Sequence, residues 1–137
     1  MMDALTTAAW RGVDMKIVLP AQNDSDKAVW AGRARYGPLL DAGVRIHELQ
    51  GRVLHAKTAV IDGGWSAVGS SNLDWRSAIW NNEIDAIILG PTFGAQMEAL
   101  FTRDLAASHP IDPAACRRRG PIPRLRELRA SLLDRLL

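Results

Sequence analysis

His55, Lys57, Asp62, Gly69, Ser70, Asn72 and Glu83 fall within 29 consecutive residues, and together they supply what cleavage of a phosphodiester requires. A neutral imidazole can attack phosphorus or move a proton, a lysine ammonium can neutralise charge on the equatorial oxygens, and an asparagine amide donates in a fixed geometry. Residues two apart in a strand share a face, so a strand through this segment projects His55 and Lys57 to the same side, where both can grip one phosphate. Glu83 can orient an imidazole from behind. Asp62 precedes Gly63-Gly64, which is good hairpin-turn chemistry, so structure alone accounts for it. An isolated His-x-Lys pair is more often a strand histidine beside a solvated lysine; the accompanying Ser70, Asn72 and Glu83 tip the balance toward chemistry.

The elements that must position these groups alternate between helix and strand. Asp3 to Arg11 carries Leu5, Ala8, Ala9 and Trp10 in a short helical pattern stopped by Gly12, and Met15 to Leu19 is an apolar strand ended by Pro20. Asp24 or Ser25 can cap a helix running to Ala34. Pro38 can open another turn at its first position, stopped by Gly43, and Val44 to Leu49 makes a second strand. Ala56 to Asp62 and Trp65 to Gly69 form two strands joined across Gly63-Gly64. Glu83 to Leu89 is a further strand, and Thr92 can cap a helix bearing Phe93, Met97, Leu100, Phe101 and Leu105. This order predicts an α/β domain with a mixed β-sheet flanked by helices on both faces, over residues 1–108. Residues 109–137 form a basic extension whose Leu125, Leu128, Leu132 and Leu136 mark an amphipathic helix. That helix either docks on the domain, the favoured role, or lies on a membrane interface.

With 137 residues, 47% of them hydrophobic, the chain suits a single core. Net charge is only +2, but beyond Cys116 the arginines 117, 118, 119, 124, 126, 129 and 135 face only Glu127 and Asp134, which suits an anionic partner as well as an ordinary solvated face. The lone Cys116 can form no intrachain disulfide and no cysteine zinc cluster. No apolar run approaches the roughly 20 residues that span a bilayer, and the N-terminus lacks a secretory pattern. Trp65, Trp75 and Trp80 read as packing residues ahead of pocket-lining ones. Arg76 and Asn82 are equally readable as substrate contacts or loop caps. His47 and His109 read as surface or packing residues.

The motif His55-Ala-Lys57-Thr-Ala-Val-Ile-Asp62, followed by Gly69-Ser70-Ser71-Asn72 and Glu83, resembles the phospholipase D superfamily signature. Within it, Ala9-Trp-Arg-Gly-Val13, Leu39-Leu-Asp-Ala-Gly-Val44, Leu73-Asp-Trp-Arg-Ser77 and Asn82-Glu83 are similar to the C-terminal half of bacterial cardiolipin synthases. That resemblance implies His55 as nucleophile or general acid, Lys57, Ser70 and Asn72 on the phosphate, Glu83 supporting a histidine, and Asp62 and Gly69 as structural parts of the motif. It implies no cofactor and no metal. It also implies phosphatidyl transfer through a phosphohistidine, with anionic phosphatidylglycerol as substrate, at the cytoplasmic face of a membrane. Such enzymes carry two motifs, and this sequence has one. A second half must then come from a missing N-terminal half, from a partner chain, or from a homodimer like those of the small single-motif nucleases of the superfamily. A phosphodiesterase acting on nucleic acid and an inactive lipid- or partner-binding half-domain are the rival readings.

Overall fold

The computed structural model describes residues 2–22, 26–72, 81–118 and 120. The proposed caps Asp24 and Ser25, the residues Trp75, Arg76 and Trp80, and the terminal helix with its arginines 124 to 135 lie outside the described residues. The chain divides into two compact units, one built from residues 2–54 with the described residues from Ala107 onward, the other from residues 55–106.

In the first unit, helix α1 (Met2–Trp10) leads to strand β1 (Lys16–Pro20), helices α2 (Asp26–Arg33) and α3 (Tyr36–Asp41), and strand β2 (Arg45–Leu49). β1 and β2 pair in parallel, with Ile17 opposite Ile46. Pro38 stands inside α3, which begins two residues before it, a place in the first turn where the missing N–H costs nothing. At the end of α3 the amide of Gly43 donates to Leu40 and that of Val44 to Leu39. This closure needs the left-handed φ of 96° that Gly43 adopts. The core is Tyr36, Leu39, Leu40, Val44 and Ile46, with Leu5, Ala9, Met15, Ile17, Ile111 and Cys116 among the residues packed on it.

Among the described residues of this unit one charge is buried. Glu48 receives Arg33 Nε and a terminal guanidinium nitrogen of Arg33, each at 2.8 Å, and the Tyr36 hydroxyl at 3.1 Å, so helices α2 and α3 are both pinned to β2. Removing one partner from such a group is costly because the remaining charge stays desolvated.

The second unit is an antiparallel meander of β3 (Lys57–Ile61), β4 (Trp65–Gly69) and β5 (Asp85–Leu89), followed by helix α4 (Pro91–Ala106). Asp62 and Gly63 take φ of 49° and 61°, and the amide of Gly64 donates to Ile61, so the hairpin turns with the twist that two left-handed residues allow. α4 starts at Pro91, two residues before the start at Phe93 that a Thr92 cap requires, because the fixed φ of proline suits the first helical residue. Gly94 lets the helix touch the turn: a Cβ there would overlap the Gly63 carbonyl, with its carbon at 2.5 Å.

Among the described residues the strands therefore pair as two three-stranded sheets, one mixed and one antiparallel, and the α/β class holds. Two elements come as additions to those legible in the sequence. Strand β6 (Ser108–Pro110) pairs antiparallel with β2, and helix α5 (Pro113–Arg117) is capped by Asp112, whose carboxylate accepts from the amides of Ala114 and Ala115. Both belong to the first unit, where Arg117 pairs with Asp41 of α3 at 2.8 Å. Among the described residues no helix is long and apolar enough to cross a membrane.

Candidate active site

The register of the second sheet decides which motif residues meet. Lys57 stands opposite Gly69, and Gly69 opposite Asp85, so the start of β3, the end of β4 and the start of β5 form one sheet edge. The two halves of the motif, His55 to Lys57 and Gly69 to Asn72, arrive at that edge from adjacent strands. Glu83 reaches it from the approach to β5.

Gly69 is required by space. A Cβ there would fall on a carboxylate oxygen of Asp85, and would lie 2.5 Å from the Ile84 carbonyl oxygen and 2.7 Å from the Asp85 Cα. Beyond it, the Ser70 amide donates to the Ile84 carbonyl at 3.0 Å and the Ile84 amide donates to Ser70 Oγ at 3.0 Å. Ser70 Oγ gives its proton to Glu83 Oε2 at 2.5 Å, the length of a hydroxyl bonded to a carboxylate. The other Glu83 oxygen accepts from Asn81 Nδ2 at 3.1 Å. Glu83 thus braces Ser70, whose hydroxyl can meet a phosphate only by turning its proton away from Glu83.

His55 is exposed and lies two residues before β3, so the face alternation of a strand begins only at Lys57. Lys57 Nζ donates to the His55 carbonyl at 3.0 Å, which ties the ammonium to the backbone carrying the imidazole. The imidazole itself makes no hydrogen bond to a described residue; in particular, Glu83 is not on it. Asn72 is exposed at the end of the Gly69 to Asn72 segment. Asp62 sits at the far end of β3, in the turn. Asn82 is exposed beside Glu83.

Sequence reasoning passed over Asp85 and Ser71. The Asp85 carboxylate accepts from the Ser71 hydroxyl and, at 3.2 Å, from the Ser71 amide. The hydroxyl first, and then the backbone amide, hold the Asp85 carboxyl below the usual carboxylate range. Among the described residues no three His, Cys, Asp or Glu side chains gather as a metal-binding group. Of the other histidines, His47 is half-buried in β2 and its Nδ1 meets no partner among the described residues, while His109 is exposed in β6.

The register thus brings to one sheet edge the segments that carry His55, Lys57, Ser70, Asn72 and Glu83. The family described as "Cardiolipin synthase, PLD-like domain" matches residues 1–105. The cardiolipin synthase A proteins of Salmonella arizonae and Salmonella newport are each 43% identical over 112 residues, which is 82% of this chain and 23% of theirs. The chain thus spans about a quarter of the length of these relatives. The crystal structure of a phospholipase D family member, Nuc from Salmonella typhimurium, superposes with a TM-score of 0.69 at 21% identity, over 80% of this chain and 72% of that one, and shows the same fold. The chain belongs to the cardiolipin synthase family of phospholipase D-like domains.

Proposed function

We propose that this chain is one half of a phosphatidyl-transferring active site, with His55 as one of two reactive imidazoles and Lys57, Ser70 and Asn72 as its phosphate-holding groups. The observation that carries this reading is the register that places the His55 to Lys57 and Gly69 to Asn72 segments on one sheet edge in a chain of this family. The relatives it matches are cardiolipin synthases, so the substrate proposed is phosphatidylglycerol.

The reaction is a double displacement. One imidazole attacks phosphorus, an N–P bond forms, and the P–O bond to glycerol breaks as the second imidazole protonates the departing alkoxide. That second imidazole then takes the proton from the hydroxyl of another phosphatidylglycerol. The resulting oxygen attacks phosphorus, the N–P bond breaks, and cardiolipin and free glycerol are the products. Lys57 and Asn72 stabilise the oxygens that gain charge in both steps. Glu83 holds Ser70 and offers a carboxylate near the edge for a histidine of the complementary half. That half is supplied by a second motif, in a longer chain, a partner or a second copy of this one, and the protein works as a peripheral one at the cytoplasmic membrane face.

A second reading, hydrolysis of a phosphodiester by a homodimer, is supported by the single motif of this sequence, which a two-fold axis would set against its own copy. The two are separated by incubating the chain, across concentrations that span monomer and dimer, with phosphatidylglycerol vesicles and in parallel with DNA and RNA. Cardiolipin with equimolar glycerol supports the first reading. Shortened nucleic acid without cardiolipin supports the second. If neither product forms at any concentration, a second copy of this chain does not supply the complementary half, and the homodimer reading is wrong.

A further inference from the structure

Asp85 is not part of the motif, yet the Gly69 to Asn72 segment is built around it. Its carboxylate occupies the space that any side chain at position 69 would need. One of its oxygens accepts the Ser71 hydroxyl and the other the Ser71 amide. Ser71 lies between the two residues proposed to hold phosphate, and Ser70 is secured on its other side by Ile84 and Glu83. Between them, Glu83 and Asp85 tie two consecutive residues of the segment to the start of β5.

We infer that Asp85 is a positioning residue of the half-site: by clamping Ser71 through both carboxylate oxygens it fixes Ser70 and Asn72 where they can receive an oxyanion. The inference rests on the half-site reading. Both oxygens accept from Ser71, and those bonds hold the Asp85 carboxyl below the usual carboxylate range, so Asp85 serves here as an acceptor. An asparagine has one acceptor oxygen, which can keep the Ser71 amide, but its nitrogen can meet the Ser71 hydroxyl only if that hydroxyl turns from donor to acceptor; a glutamate is one methylene too long for the space above Gly69.

The test uses orthovanadate, a phosphate mimic, with the intact chain. Dissociation constants are measured by calorimetry for the wild type, D85A, D85N, S71A and S71T, with urea unfolding midpoints alongside. Each hydrogen bond lost weakens affinity by up to about tenfold. D85A, which loses both bonds, is therefore expected to bind roughly tenfold more weakly than wild type, with D85N between the two. S71A, which keeps the amide bond, is expected to bind roughly threefold more weakly, and S71T, which keeps the hydroxyl, to match wild type, each variant still unfolding cooperatively. A wild type that binds no vanadate overturns the half-site reading and this inference together. A wild type that binds it, with D85A equally tight, overturns the role of Asp85 alone. If D85A loses its fold, S71A decides: wild-type affinity in that variant refutes the clamp, and weakened affinity restored in S71T supports it.

Discussion

Replacing Gly69 with alanine tests the close approach on which the site edge depends. The added Cβ would stand on a carboxylate oxygen of Asp85, 2.5 Å from the Ile84 carbonyl oxygen and 2.7 Å from the Asp85 Cα, whereas ordinary Cβ contacts begin at 3.4 Å. The carboxylate can rotate away, but the two backbone atoms can recede only if β5 shifts by about 0.7 to 0.9 Å. Such a shift breaks the pairing of Ser70 with Ile84. Overpacking typically costs about 1–3 kcal/mol, and a lost backbone hydrogen bond about 1 kcal/mol. G69A is therefore expected to lose about 3 kcal/mol, a fall of roughly 10 °C in Tm. Urea unfolding followed by far-UV circular dichroism measures it. G32A is the control, because a Cβ at Gly32 in α2 meets nothing within 4 Å, and alanine there gains up to about 1 kcal/mol of helix propensity. G69A within about 0.5 kcal/mol of wild type would refute the argument. The double variant G69A/D85A is expected to keep most of the loss, since Ile84 and the Asp85 Cα remain in place.

G94A, whose Cβ would overlap the Gly63 carbonyl, is expected to cost about 2 kcal/mol by prising α4 from the hairpin turn. Retention of the wild-type unfolding midpoint would contradict that contact. R33L strips Glu48 of both guanidinium bonds and leaves it buried with Tyr36 alone. A fully buried pair broken in this way costs about 3–5 kcal/mol; with the Arg33 side chain 26% exposed, about 2 kcal/mol is expected, and R33L/E48Q should recover part of it. Burial first, then Arg45 and Lys16, push the His47 imidazole below its ordinary 6.5. The unfolded chain therefore takes up this proton first as pH falls. The stability contributed by neutral His47 is complete above pH 6.5 and declines between 6.5 and the lower folded-state pKa. Unfolding midpoints from pH 7.5 to 5 should show that decline in wild type and a flatter profile in H47N; identical profiles would remove His47 as the cause.

The helices and strands of the second unit were legible because their signals are local. Gly63 and Gly64 announce a turn, alternation of small and apolar residues marks β3 and β4, and the spacing of Phe93, Met97 and Phe101 marks α4. Elements whose existence depends on partners were not legible. β6 is three residues containing a proline, too short for any period to show, and it exists because β2 offers an edge. Its exit is secured where the Ile111 amide donates to the Ile46 carbonyl at 2.9 Å. The division into two sheets depends on pairing between distant strands, which periodicity does not encode. The same distinction holds at the site. His55, Lys57, Ser70, Asn72 and Glu83 could be singled out by type and spacing. Asp85 could not, because its importance lies in standing opposite Gly69 across a strand pair, and a single carboxylate at the head of an apolar run looks like an ordinary strand boundary. The register also gives Glu83 a task, holding Ser70, that its chemistry alone did not suggest.

The half-site is tested most directly by a crystal structure of the chain with tungstate, a tetrahedral oxyanion of phosphate shape. A single tungstate within hydrogen-bonding distance of the His55 imidazole, Lys57 Nζ and Asn72 Nδ2 is the predicted result. Tungstate bound elsewhere, or none bound with those three groups directed apart, would contradict it.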